Sequence, residues 1–177
     1  MTTETPLETI IRFRKYQDSS FRTYGPADVL GDGRIWIGSM YDAVNTDWLN
    51  EKGITHVVNC ADALSSYVKR VTGTAIREVF VLEAEDTREY MILDKHLDDV
   101  VRFCDDAFRG TSDSTILFHC MAGVNRSATL ALAYAAQRDG GDRLTQFADA
   151  FVRVMRQRPI ILTNNDFYNQ LLIWAQL

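Results

Sequence analysis

A chain of 177 residues, 46% apolar and 24% charged, is long enough to bury one adequate globular core and cramped for two domains. A formal net charge of -5 argues against a general nucleic-acid binder, which needs a basic face, but it leaves room for a locally positive pocket. Three cysteines, Cys60, Cys104 and Cys120, show neither zinc nor disulfide spacing, and no secretory segment, membrane-length apolar run or lipidation signal is present. The expected compartment is therefore the reducing cytoplasm, with the nucleus as the second choice.

Thr5 and Pro6 suit a helix start, and Leu7, Ile10 and Ile11 share one face. Residues 1–27 are expected to form a helical extension packed on a main domain spanning 28–177; the alternative is a docking arm for a partner. Gly31, Asp32 and Gly33 turn the chain into a strand over Ile35 to Ile37. A helix from about Asp42 to Lys52 follows, ended by Gly53, and Ile54 to Asn59 has the β-branched content of a buried strand. Residues 60–76 read as irregular, apart from a short strand expected over Tyr67 to Val71. Glu78 to Leu82 alternate like a strand and run into the acidic stretch EAED before Thr87.

Leu93, Leu97, Val100, Val101, Cys104 and Phe108 fall on one face of a helix over 93–108. The loop from Gly110 to Ser114 then feeds an apolar strand, Ile116 to Phe118, followed by a tight loop and another helix. Asp139, Gly140 and Gly141 break the chain before a helix from Arg143 to Arg156, whose stripe is Leu144, Phe147, Phe151, Val154 and Met155. Pro159 ends it, and a last helix carries Phe167, Leu171 and Trp174. Strands alternating with helices predict an α/β fold: a central, mostly parallel sheet of four or five strands with helices on both faces. Ligands of such sheets bind at the carboxyl ends of the strands, where the loop after Phe118 sits.

That loop carries the strongest chemical signal. In ILFHCMAGVNRSATLALAYA, Ile116 to Ala135, five residues separate Cys120 from Arg126, and Arg126 and Ser127 open the helix. Backbone N–H groups of Met121, Ala122, Gly123, Val124 and Asn125, joined by Arg126, can curl around a phosphate-sized anion at a helix N-terminus. The same field favours Cys120 as a thiolate nucleophile, and the planar fork of Arg126 fits two phosphate oxygens. No metal or other cofactor is required by this chemistry. A leaving oxygen needs a proton, and Glu83, Glu85, Asp86 and Glu89 are all positioned past a strand end; position alone does not choose among them.

His119, Cys120, Gly123, Arg126 and Ser127 match the His-Cys-x5-Arg-Ser signature of cysteine-dependent protein tyrosine phosphatases, and the chain most resembles their compact dual-specificity branch. RIWIGSMYDAVNTDWLNEKGITHVVN resembles that family's first strand, helix and second strand, and RPIILTNNDFYNQL its closing segment. The resemblance implies that Asp86 in AEDTREY is the general acid, with Glu85 the fallback. It also implies that Ser127 assists the departing thiolate, and that Asn164 braces the active-site loops. His119 is expected to support the loop by side-chain hydrogen bonding, while His56 and His96 read as structural.

Two positions depart from the family pattern: Asn125 stands where serine or glycine is commoner, and Thr163 where proline is common. The loop lacks the lysines that inositol-lipid members place there. The resemblance thus implies hydrolysis of phosphotyrosine and of phosphothreonine or phosphoserine on proteins through a phosphocysteine. A phosphorylated protein is the expected partner, with no membrane and no nucleic acid. The alternatives are a non-protein substrate such as an RNA 5'-phosphate, a lipid or a glucan, for which Asn125 keeps the RNA option open, or a phospho-binding scaffold without turnover. No separate kinase-docking domain is expected. Cys60, at a strand end, is expected to be a plain buried cysteine, with a resolving thiol for Cys120 as the alternative.

Overall fold

The computed structural model describes residues 4–15, 24–61 and 73–177. Helix α1 covers Pro6–Lys15, and a two-residue strand β1, Ala27–Asp28, precedes β2, Ile35–Gly38. Next come a 3-10 turn at Asp42–Val44, α2 (Thr46–Glu51), β3 (His56–Asn59), β4 (Glu78–Val81) and α3 (Ile92–Gly110). The chain closes with β5 (Ile116–His119), α4 (Arg126–Arg138), α5 (Arg143–Gln157) and α6 (Asn165–Gln176). The strand expected over Tyr67 to Val71 lies outside the described residues.

The sheet order is β1-β2-β5-β3-β4. Among the described strands only β1 runs antiparallel; β2, β5, β3 and β4 are parallel neighbours, as the alternation of strands and helices implied. Their register aligns Gly38, His119, Asn59 and Val81 along one carboxyl edge, so the loops that follow four strands open on the same side of the molecule.

Period-2 burial sets the two faces. Ile116 and Phe118 of β5 face the larger core, shared with Val58 and the helices α3 to α6, whereas Leu117 and Val57 face a smaller one with Ala43, Leu49 and Ile54. Trp36 and Trp48 seal that second face edge to face, with ring centroids 5.6 Å apart. Helices therefore cover both sides of the sheet. Helix α4 runs through the middle of its layer against α3, α5 and α6, and every residue from Ser127 to Ala136 is buried.

Helix α1 lies on α5, its Ile10 wholly inside the larger core. Arg14 reaches from its last turn to Asn165 Oδ1, 2.6 Å away, and stacks over Tyr168 of α6.

Two local expectations need correction. A single helix was expected over Asp42 to Lys52, but the backbone leaves helical geometry at Asn45, whose side chain accepts from Trp48 N and starts α2 as a separate helix. Gly53, with φ of 62°, does end it as expected. Strand β1 was not expected from two residues; it exists because Ala27 and Asp28 pair with Ile37 and Trp36. The Asp28 carboxylate then gathers the amides of Leu30, Gly31 and Gly33 into the intervening turn.

Candidate active site

The loop 120–125 leaves β5 at the carboxyl edge and returns as α4, and its carbonyls are tied from outside. Met40 N donates to Met121 O at 3.2 Å, Arg158 Nη2 to Ala122 O at 2.8 Å, and Leu162 N to Val124 O at 2.8 Å. Thr129 takes Asn125 O with both its amide and its hydroxyl, each at 2.8 Å. With the oxygens held outward, the amides are left for the concave side, which is the arrangement an anion needs. Gly123 makes the turn possible: its φ is 70°, and a Cβ there would lie 2.5 Å from Gly38 O.

Cys120 sits at the bottom of this concavity, 2% exposed. Ser127 Oγ donates to its sulfur at 3.3 Å. Burial pushes the thiol pKa up, but the Ser127 hydroxyl and amide, the Arg126 charge and the Val124 amide together outweigh it, and the net shift is downward. Cys60 and Cys104 go the other way. Burial raises both thiols, and for Cys60 the neighbouring Cys120 adds to the rise, so neither shares the thiolate character of the loop cysteine.

Among the described residues, Arg126 makes one hydrogen bond, from Nη1 to Ala84 O at 3.0 Å. Its buried Nε has no hydrogen-bond partner among them and lies 3.9 Å from Asp86 Oδ2. The fork is thereby anchored at one corner with donor capacity left over. Asp86 arrives on the irregular segment between β4 and α3. Asn125 Nδ2 donates to its Oδ2 at 3.1 Å, and Asn164 Nδ2 donates to its Oδ1 at 3.0 Å. Glu85 is exposed and takes part in none of these contacts.

Asn164 braces the acidic segment and starts α6 at once. Its Oδ1 accepts from Asp166 N and Phe167 N, while its Nδ2 also reaches Thr87 O at 3.3 Å. Nearby, Asp166 accepts from Glu89 N and Gln170 donates to Tyr90 O, so α6 holds both halves of that segment.

His119 is wholly buried; its ring meets the adjacent Cys120 backbone, and no side chain is hydrogen-bonded to it among the described residues. Burial pulls its pKa down to about 4 against the opposing effects of the Cys120 backbone and Asp42, so it is a neutral packing group at pH 7.

Two contributors escaped the sequence reading. Arg158, 3% exposed, donates to Tyr24 O, Gly25 O and Ala122 O and so ties the N-terminal approach to the loop. Its place between a helix end and Pro159 was the available signal, yet arginine there ordinarily reads as solvated. The other is the Asn125 side chain, whose Oδ1 accepts from Thr163 Oγ1 at 3.1 Å. The two positions that depart from the family pattern are bonded to each other.

Residues 35–176 match the family model described as dual specificity phosphatase, catalytic domain. The chain belongs to this family. Dual specificity protein phosphatase 1 of Arabidopsis thaliana is 30% identical over 157 residues, covering 85% of this chain and 71% of that protein. Protein phosphatase Slingshot homolog 3 of Mus musculus is 30% identical over 138 residues, covering 77% of this chain and 19% of that protein. The chain thus spans about a fifth of the length of the Slingshot relative, and 18% of a Dictyostelium discoideum MAP kinase phosphatase with leucine-rich repeats.

Solved structures agree in fold. Human DUSP28 superposes with a TM-score of 0.68 at 22% identity, over 85% of this chain and 93% of that one. OH1 from the Orf virus gives 0.73 at 18% identity over 96% of each. Members of the dual specificity phosphatase family are hydrolases of phosphoric monoesters. The site residues of this chain lie where its sheet opens its carboxyl edge.

Proposed function

We propose that this chain hydrolyses phosphate monoesters on phosphotyrosine and on phosphothreonine or phosphoserine in proteins, through a phosphocysteine at Cys120. The observation that carries the reading is the convergence on one loop of a thiol with depressed pKa, an arginine with unused donors, and a carboxylate 3.9 Å from that arginine. Cys120 Sγ attacks phosphorus in line with the ester oxygen. The P–S bond forms, the P–O bond breaks, and Asp86 gives its proton to the leaving oxygen. Loop amides and Arg126 hold the three equatorial oxygens as charge redistributes.

Water then loses a proton to Asp86 and attacks phosphorus, and the P–S bond breaks to return the thiolate, to which Ser127 Oγ donates. The products are the free hydroxyl and inorganic phosphate. Met121 and Ala122 of the loop are uncharged, and Met121 is half exposed beside the cradle. A loop without lysines favours a single phosphoryl group on protein over a polyphosphorylated lipid. Three free cysteines fit a reducing compartment, cytoplasmic or nuclear.

The test is turnover, with chelator present, of phosphotyrosine peptide, phosphothreonine peptide, a phosphoinositide and a 5'-triphosphorylated RNA. Release from both peptides is expected. Release from lipid or RNA alone would overturn the substrate class.

Ser127 gives a separate prediction. Removing its hydroxyl takes a donor from the thiolate, so in Ser127→Ala the Cys120 pKa should rise, and the pH dependence of iodoacetamide inactivation should move to higher pH. Breakdown of the phosphocysteine should slow by about 10- to 100-fold, visible as a larger burst before a slower steady state.

A further inference from the structure

Asn125 is counted above for its backbone amide, yet its side chain is the only group among the described residues that contacts Asp86, Thr163 and Asn164 together. The orientation of that side chain is dictated. Asn164 N can only donate, so the atom facing it at 3.0 Å must be the carbonyl Oδ1. Thr163 Oγ1 donates to the same oxygen at 3.1 Å. With Oδ1 committed on one side, Nδ2 must face Asp86, where it lies 3.1 Å from Oδ2 and 3.4 Å from Oδ1.

Asp86 needs such a guide. It rides on a segment without regular structure, with Glu83 and Glu89 both at positive φ, anchored through backbone contacts at Ala84, Thr87, Glu89 and Tyr90. Those contacts fix the segment's path; the carboxylate itself is held by Asn164 Nδ2 on Oδ1 at 3.0 Å, and its plane is set only when Asn125 Nδ2 takes Oδ2 as well. Asn125, by contrast, immediately precedes Arg126 and shares its backbone, so a bond from Asn125 to the carboxylate sets the proton donor in register with the phosphate cradle.

We infer that Asn125 is a positioning residue for Asp86, and that Thr163 holds it in the orientation that does this. The inference rests on the phosphatase reading and adds to it a coupled pair, Asn125 and Thr163, that controls proton delivery to the leaving group rather than phosphate binding. A misplaced acid matters only when the leaving oxygen needs a proton. The effect must therefore depend on the leaving group.

The experiment compares phenyl phosphate, a poor leaving group, with 2,4-dinitrophenyl phosphate, which departs without protonation. It uses the full chain and its Asn125→Ala, Thr163→Val and double variants, with inhibition by inorganic phosphate as the reading of the cradle. Asn125→Ala should lower kcat on phenyl phosphate by roughly 10- to 100-fold more than on the activated ester, short of the full effect of losing the acid. Thr163→Val should shift the same ratio in the same direction by a smaller factor, and the double variant should be no worse than Asn125→Ala alone. Inhibition by phosphate should stay close to that of the parent chain.

An equal loss on both esters, weakened phosphate inhibition in parallel with activity, or additive single effects would each overturn the inference. Wild-type activity that survives Cys120→Ser would overturn the phosphatase reading itself, and the two failures are thus distinguishable.

Discussion

Cys120→Ser is expected to abolish turnover, by on the order of 10⁴-fold or more, while leaving phosphate binding in place. The loop's grip on an anion comes from backbone amides and Arg126, and its shape comes from bonds made by Met40, Arg158, Leu162 and Thr129. None of these bonds involves the sulfur. Serine is smaller than cysteine and can still accept from Ser127, so the cradle keeps its form. What is lost is the thiol proposed as the nucleophile. The site lowers the pKa of a thiol whose ordinary value is already within reach of neutrality, whereas a hydroxyl would need a base beside it. His119 is wholly buried, and that burial lowers its pKa and so weakens it as a base. Steady-state hydrolysis of a phosphopeptide, paired with calorimetric titration of inorganic phosphate, reads both halves. Residual activity within tenfold of the parent chain would mean that the phosphoryl group never passes through Cys120.

The contrast between Cys120 and His119 marks how far the sequence carried. Residues tied together by short spacing were readable: Cys120, Gly123, Arg126 and Ser127 sit within eight positions, and local geometry alone turns that spacing into a cradle. The parallel sheet was readable for a related reason: strands buried on both faces read as apolar runs, as Ile116, Leu117 and Phe118 of the fully buried β5 do. The contacts that sequence could not supply are those whose partners are far apart. Arg158 reaches back 36 positions to Ala122 and more than 130 to Tyr24 and Gly25. The bond between Asn125 and Thr163 spans 38. Strand β1 exists only because β2 is beside it, and Asn45 breaks a helix that periodicity alone would continue. His119 is a different case: a polar residue inside a motif suggests a supporting hydrogen bond, but only the structure shows a wholly buried ring whose near partner is the adjacent Cys120 backbone.

The choice among the four acidic residues was of the same long-range kind, and it yields the second large effect. Asp86→Ala should lower kcat on a phosphotyrosine peptide by roughly 10²- to 10⁴-fold with KM unchanged or reduced. Arg126 keeps its anchor on Ala84 O in this variant, so the fork should stay poised. A phosphate is then gripped as before but lacks a proton for its leaving oxygen. Binding is preserved and the first chemical step is slow, so the variant should retain phosphopeptide long enough to be co-isolated with it. Rapid-quench measurement of phosphocysteine formation places the loss on that step. Glu85→Ala is the matched control: its side chain is exposed and outside the network formed by Asn125, Asn164 and Arg126, so it should change kcat less than threefold or so. The reverse pattern, with Asp86→Ala active and Glu85→Ala slow, would move the proton donor one residue back. The acidic segment would then have to turn during catalysis, breaking the bonds that Asn125 and Asn164 make to Asp86.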